Sequence, residues 1–186
     1  MDFSDAIVVE VARFQNQLRK EMSRLPIRWV APETMHLTLQ FLGETPVDEV
    51  ASIEAAISVV ASQFAPIAMH LSGAGGFPSF QKPQVLWVGI HANHQLKQLV
   101  SKLQKELAPL GFKPEGEFVP HLTLGRLSRN ASNEEYKAAS IALAHWQSIE
   151  IGDDQPREII LYQSDLSREG PTYTALFRAP LNNMLN

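Results

Sequence analysis

Apolar residues recur at helical spacing in four windows of this chain and alternate with polar ones in several shorter runs. Over residues 4–21, Ile7, Val11, Phe14 and Leu18 share one face, while Glu10, Arg13, Gln17 and Lys20 cover another. This is the pattern of an amphipathic helix. Ser4 is placed to cap it, and the β-branched run Ile7-Val8-Val9 is the feature that would favour a strand instead. Val50, Ile53, Ala56, Ile57 and Val60 predict a helix over 47–63, and Leu96, Leu99, Val100, Leu103 and Leu107 predict one over 94–108, closed by Pro109 and Gly111. A fourth helix is expected over 133–144, after a start at 130–132.

Strand patterns fall between these windows, at 28–30, 36–42, 67–72, 84–90, 121–127, 147–151, 157–164 and 172–178. The stretch from Gly73 to Pro83 holds three glycines and two prolines besides Phe77 and Phe80, and reads as a long loop. It matches no phosphate-binding glycine fingerprint, because no helix follows it directly. Asp153-Asp154 reads as a turn, Gly170-Pro171 as the turn of a terminal hairpin, and the tail after Pro180 as frayed. Strands joined by loops and alternating with helices indicate an α+β fold with mainly antiparallel sheet. The order helix, strand, helix, strand occurs twice with no flexible linker between, so residues 1–186 are expected to form one two-lobed body.

Within that pattern one phrase is repeated letter for letter. His36-Leu37-Thr38-Leu39 returns as His121-Leu122-Thr123-Leu124, 85 positions later. Side chains alternate faces along a strand, so each copy turns its leucines to the core and a histidine–threonine pair the other way. In the first copy Gln40 would join the polar face and Phe41 the apolar one. Two such pairs across a cleft would hold two imidazoles that titrate near neutral pH and two hydroxyl donors. Phosphodiester cleavage needs a base on one side of phosphorus and an acid on the other, with donors for the non-bridging oxygens. A single phrase would supply half of this.

Arg126 is the nearest extra cation to either phrase, and guanidinium suits phosphate. Strict alternation, however, puts it on the opposite face from His121. It reaches a cleft only if the strand bulges, as near Gly125, or if the side chain wraps the strand end. His70, His91, His94 and His145 lack any comparable context and read as surface or structural. Neither phrase carries a carboxylate to complete a metal shell, and no nucleophile-elbow motif supports a serine hydrolase.

Composition narrows the picture further. The chain has 186 residues, no cysteine and a net charge of −4. Disulfide and thiolate-zinc chemistry are therefore excluded. A protein that grips long nucleic acid usually carries a basic excess, so any nucleic-acid contact should be small, such as one strand end in a locally positive pocket. The acidic start lacks a signal-peptide pattern and no apolar run is long enough to span a bilayer, so a cytoplasmic location away from membranes is expected.

The stretches HLTLQFLGE at 36–44 and FVPHLTLGR at 118–126 resemble the two-histidine phosphoesterase superfamily, and most closely its LigT-like, or ThpR, RNA 2′,3′-cyclic phosphodiesterases, also called 2′-5′ RNA ligases. RWVAPETMHLTL, PQVLWVGI and LYQSDLSREGPTYTAL are similar to family stretches in the same order, so the resemblance covers nearly the whole chain. It implies a bilobal pseudo-twofold fold, with two antiparallel sheets flanked by helices around a central cleft and one His-x-Thr motif per lobe. It implies opening of a terminal 2′,3′-cyclic phosphate on RNA to a 2′-phosphomonoester, with no metal or other cofactor. His36 and His121 match the family's catalytic histidines, Thr38 and Thr123 its phosphate-binding threonines, and Arg126 an arginine that helps bind phosphate. By the same resemblance His36 would be the acid for the leaving 3′-oxygen and His121 the base.

Family members usually open with a short apolar strand before the first helix, and this chain begins at about that helix. An uncovered sheet edge, with lower stability or an oligomer that covers it, is the expectation. Readings within the same chemistry are 2′-5′ ligation or action on another small cyclic nucleotide. A nucleotide- or RNA-end-binding module without catalysis, and a structural protein with an incidental repeat, are the readings outside it. Phe77, Phe80 and Trp87 are candidates for stacking on a base, with Trp87 also suited to the core.

Overall fold

A computed structural model describes residues 1–114, 116–166 and 171–182 of the chain. Four helices, α1 (Asp5–Glu21), α2 (Val50–Ala61), α3 (His94–Leu107) and α4 (Asn133–His145), accompany seven strands. The strands are β1 (Ile27–Trp29), β2 (Met69–Ser79), β3 (Lys82–Ala92), β4 (His121–Leu127), β5 (Glu150–Asp154), β6 (Glu158–Leu166) and β7 (Pro171–Pro180). Five form one antiparallel sheet in the order β1-β4-β3-β2-β5, and β6-β7 form a second. The α+β expectation with two antiparallel sheets therefore holds.

The helices form where the apolar spacing places them. Ile7, Val11, Phe14 and Leu18 of α1 are buried, as are Leu96, Leu99, Val100, Leu103 and Leu107 of α3. Asn93 caps α3 by accepting from Gln95 N–H, and Ser132 with Glu135 forms a reciprocal capping box on α4. Ser4 stands at the N-cap of α1, but its side chain makes no capping bond; its backbone N–H instead donates to Asp154 Oδ2 at 2.7 Å. Asp153 and Asp154 thus lie in β5, opposite His70 and Met69 of β2, and do not form a turn.

The glycine-rich stretch from Gly73 to Pro83 is the largest departure from the expected elements. β2 runs through it to Ser79 and turns tightly into β3 at Lys82. The glycines serve close cross-strand packing. A Cβ on Gly75 would lie 2.3 Å from the Trp87 ring, and one on Gly76 would lie 2.3 Å from Pro83 Cβ. In sequence the same residues look like loop formers, because glycine there has two possible uses.

The first repeated phrase also departs from a regular strand. Only His36 makes a ladder contact, an isolated bridge to Asp2, while Leu37 N–H donates to the Met1 carbonyl. Met1 and Phe3 are buried in the core, so the start of the chain itself lies along this edge. The inward–outward alternation survives without a strand: Met35, Leu37 and Leu39 are buried, and His36, Thr38 and Gln40 are half-buried. It ends at Phe41, which is 67% exposed rather than in the core. Gly43, at φ 73°, turns the chain away just beyond. At the other end, Leu181 is buried and its N–H donates to the Arg157 carbonyl, so the chain is still held after Pro180. Gly170 of the expected terminal turn lies outside the described residues, although β6 and β7 pair as an antiparallel hairpin.

The sheets do not follow the sequence halves. β4, with the second phrase, pairs with β3 from the first half, and β2–β3 from the first half also takes β5 from the second. Conversely, the first phrase lies against Tyr162 and Tyr173 of the β6–β7 hairpin. Each phrase is therefore served by a hairpin of the other half.

Candidate active site

The leucines of both phrases anchor the site. Leu37, Leu39, Leu122 and Leu124 join one continuous hydrophobic core. A fully buried leucine contributes about 1.5–3 kcal/mol, so the alternation fixes firmly which way the histidine–threonine pairs face. His36, Thr38, His121 and Thr123 are all half-buried.

The two histidines are held in the same way. His36 Nδ1 lies 2.9 Å from the Thr34 carbonyl, and His121 Nδ1 lies 2.7 Å from the Val119 carbonyl. A carbonyl only accepts, so each Nδ1 carries the proton and each Nε2 is left as the working nitrogen. Among the described residues neither Nε2, nor either threonine hydroxyl, has a hydrogen-bond partner in the protein. The carbonyl two residues before each histidine is a support that sequence inspection missed. A proline precedes each phrase, Pro32 four residues before His36 and Pro120 directly before His121, but neither marks the supporting carbonyl.

Aromatic side chains complete both surroundings. Tyr173 meets the His36 ring edge-to-face at 4.8 Å between centroids, with Tyr162 at 5.7 Å. Phe77 meets His121 edge-to-face at 4.8 Å, with Trp87 at 6.4 Å. Tyr162 follows Phe77 by 85 positions and Tyr173 follows Trp87 by 86, close to the histidine offset. Of the stacking candidates, Phe77 and Trp87 thus stand against His121, and Phe80 packs on the edge of the core. Tyr162 and Tyr173 had no repeated letters to mark them. Tyr162 donates to Asp2 Oδ2 at 2.6 Å, and its hydroxyl pKa is pushed up to about 12, by burial first and then by that bond. A cavity of about 230 Å³ opens beside His36, lined by Glu33, Thr34, Tyr162, Thr172 and Tyr173 among others.

Burial is the main influence on both imidazoles and lowers both pKa values, opposed by the bonds to Thr34 and Val119. The charges around them differ. Near His36 a cation, the Met1 amine, and an anion, Asp2, act in opposite directions. Near His121 the charge is Arg126, which lowers its pKa further.

Arg126 reaches the His121 side through a bulge. In the β3–β4 ladder Thr123 pairs with Trp87 and Gly125 with Leu86, so Leu124 is an extra residue on β4. Paired residues share a face of the sheet. Trp87 and Val85 are two apart on β3, and they pair with Thr123 and Arg126. Arg126 therefore shares the face of His121 and Thr123 despite its odd spacing. The Leu124 carbonyl, freed from the ladder, accepts from Val30 N–H at 2.9 Å and from Gln15 Nε2 at 2.9 Å. Gln15 is the only buried polar residue among those described, and it also donates to the Val30 carbonyl at 2.7 Å. Sequence reasoning missed this support, because Gln15 reads as an ordinary polar position on α1.

The structure thus gathers His121, Thr123 and Arg126 on one sheet face and places His36 and Thr38 on the half-buried side of the other phrase. Gln40, next along that side, donates to the Phe112 carbonyl at 3.2 Å in the segment leading to the second phrase. Of the remaining histidines, His70 lies between Asp153 and Glu150, and His145 bonds Glu21, in keeping with structural roles.

Comparison with known proteins places this arrangement. A family model for LigT-like phosphoesterases matches the chain twice, at residues 2–87 and 88–173, so that each match contains one phrase. An RNA 2′,3′-cyclic phosphodiesterase of Archaeoglobus fulgidus is 34% identical over 95% of this chain and 94% of its own. One of Methanocaldococcus jannaschii is 30% identical over 95% of both. A crystal structure of Escherichia coli LigT complexed with 3′-AMP superposes with a TM-score of 0.72 at 26% identity, covering 97% of this chain and 94% of that one. With its two consecutive matches spanning nearly the whole sequence, the chain belongs to the LigT-like phosphoesterase family.

Proposed function

We propose that this protein is an RNA 2′,3′-cyclic phosphodiesterase that opens a terminal cyclic phosphate to a 2′-phosphomonoester. The observation that carries the reading is the matched state of the two histidines. Each has its Nδ1 proton fixed on a backbone carbonyl and, among the described residues, its Nε2 free beside an unengaged threonine hydroxyl. The relatives named above, at 30–34% identity over almost their full lengths, support the substrate class.

In this reading His36 and His121 face the phosphate from opposite sides. His121 Nε2 takes a proton from water as the water oxygen bonds to phosphorus. The bond from phosphorus to O3′ breaks, and O3′ takes a proton from His36 Nε2. Solvent then restores the protons. Thr38 and Thr123 donate to the non-bridging oxygens, where charge gathers, and Arg126 adds a forked cation. Burial first and then Arg126 keep His121 neutral and able to accept, whereas around His36 the Met1 amine and Asp2 oppose each other; the acid role of His36 is taken from the family resemblance. The cavity beside His36 has room for the ribose. Two lobes with one motif each, working in the cytoplasm on RNA ends, complete the reading. No helix among the described residues is long and apolar enough to cross a membrane. If copies associate, the two-stranded β6–β7 sheet offers an unpaired edge, which sedimentation equilibrium would test.

The direct experiment incubates the protein with an RNA ending in 2′,3′-cyclic phosphate, with and without EDTA, beside His36→Ala and His121→Ala. Cleavage to a 2′-phosphate is expected with or without EDTA, with a loss of about 10²–10⁴ for each variant. An inert wild type, or two variants at wild-type rates, overturns the proposal.

A further inference from the structure

β1 is the outer strand of the five-stranded sheet, and its register decides what stands beside the second phrase. Ile27 pairs with Leu127, Arg28 with Arg126 and Trp29 with Gly125. Ile27 and Trp29 pack against the core, and a Cβ on Gly125 would meet both of them. Arg28 therefore points the other way, onto the face that carries His121, Thr123 and Arg126. The bulge at Leu124 produces this meeting, for without it Arg126 would turn to the opposite side.

Arg28 and Arg126 are thus a directly opposed cross-strand pair of like charge, both exposed. Such a pair destabilises a sheet. Among the described residues no carboxylate comes within salt-bridge distance of either, although the chain has 20 acidic residues against 16 basic ones. Six of the chain's carboxylates neutralise other cations or histidines. Two unneutralised guanidiniums side by side make an anion site, and each fork can hold one phosphate bidentately. Directly opposed Cα atoms lie about 4.5–5.5 Å apart, so two long arginines can reach two anions. Arg126 lies beside His121, and Arg28 lies one strand further out.

We infer that Arg28 holds the phosphodiester adjacent to the reacting phosphate of an RNA strand, so that the site prefers oligonucleotide ends to free cyclic mononucleotides. This rests on the function proposed above and extends it by one nucleotide. The substrate it selects carries at least two phosphates: the cyclic one at His121 and Arg126, and the neighbouring diester at Arg28. A mononucleoside cyclic phosphate has nothing to place against Arg28.

The test compares wild type, Arg28→Ala and Arg28→Lys on two substrates, a mononucleoside 2′,3′-cyclic phosphate and a short RNA ending in the same group. Circular dichroism establishes folding. For Arg28→Ala, kcat/KM should fall about tenfold or more on the RNA and stay within about twofold on the mononucleotide, with Arg28→Lys between. The slope of log kcat/KM against log salt on the RNA should become shallower by about 0.7, the loss of one phosphate contact on a single strand. Equal losses on both substrates, or no loss on the RNA, would overturn the assignment. A wild type inactive on both substrates would overturn the proposed function instead. Arg28 would then be judged by the affinity for a short RNA bearing a terminal 2′-phosphate, which must fall in Arg28→Ala while affinity for the mononucleoside 2′-phosphate does not.

Discussion

Replacing Gln15 with leucine tests whether the bulge that turns Arg126 toward His121 is held from behind. Gln15 is 2% exposed, and its Nε2 donates to Val30 O and Leu124 O at 2.7 and 2.9 Å. Leucine keeps most of the volume and removes both bonds. Leu124 O retains the Val30 N–H, whereas Val30 O loses the Gln15 donor. A neutral hydrogen bond is worth about 0.5–1.5 kcal/mol net, so the pair should cost about 1–3 kcal/mol. For a chain of this size that lowers Tm by about 2–12 °C, at about 2–4 °C per kcal/mol. Urea titration should show a lower midpoint at an unchanged slope, the mark of lost stability without a changed unfolded state. Gln15→Glu should be worse than leucine, because a carboxylate cannot donate and a charge would be buried. On the functional side, a loosened bulge lets Arg126 drift from the phosphate, so kcat/KM should fall by about the worth of a charge-assisted bond, up to tenfold or more, while the far side of the site is undisturbed. A stability loss below about 0.3 kcal/mol would refute the hydrogen-bond accounting. A full stability loss with unchanged kcat/KM would refute the link from Gln15 to Arg126.

Three further outcomes follow from the geometry. Both catalytic candidates have lowered pKa values, and kcat/KM reports the free protein's acid and base, so its bell-shaped profile should centre below the ordinary imidazole value of about 6.5; a maximum above about pH 7.5 would contradict this, and the two limbs belong to the pair rather than to either residue. His70 is held by Asp153 first and by Glu150, which raise its pKa. The stability this adds is fully present below the unfolded value and is lost as pH rises through the raised folded one, so His70→Ala should flatten that alkaline decline in urea midpoints measured from pH 6 to 9. Gly75→Ala would place a Cβ 2.3 Å from the Trp87 ring; displacing that ring should cost about 1–3 kcal/mol and disturb the aromatic wall of His121, visible as a lower urea midpoint together with a lower kcat/KM.

Much of this arrangement was legible in the letters, and the rest was hidden for identifiable reasons. The helices were readable because Leu96, Leu99, Val100, Leu103 and Leu107 can only share a face at helical spacing. The direction of His36 and His121 was readable because the leucines beside them had to be buried. The path of Arg126 was not. Its side is decided by the extra residue Leu124, and that residue is stabilised by Val30 and Gln15, which are remote in sequence. The stretch from Gly73 to Pro83 misled because glycine marks both turns and close packing, and only the position of Trp87 across the ladder distinguishes them. Phe41 misled because the alternation breaks there: Phe41 is exposed and the next residue, Leu42, packs on the core instead. Tyr162 and Tyr173 escaped notice because they differ in identity from Phe77 and Trp87, although they hold the corresponding places.

The exchange of hairpins between the two halves bears on how the site is born. During synthesis, at roughly 5–20 residues per second, the second phrase can dock as it emerges, because β2 and β3 precede it. The first phrase has to wait. Its histidine, made early, gains its aromatic walls only once Tyr162 and Tyr173 have followed. Between the emergence of the second phrase and that of Tyr173 the nascent chain therefore carries a half-built centre, with one imidazole set and the other bare, and full hydrolytic competence comes with the last strand. A chain cut between Gly111 and Pro120 should give two inert pieces, each holding a hairpin that the other lacks, and mixing them should restore what neither has alone.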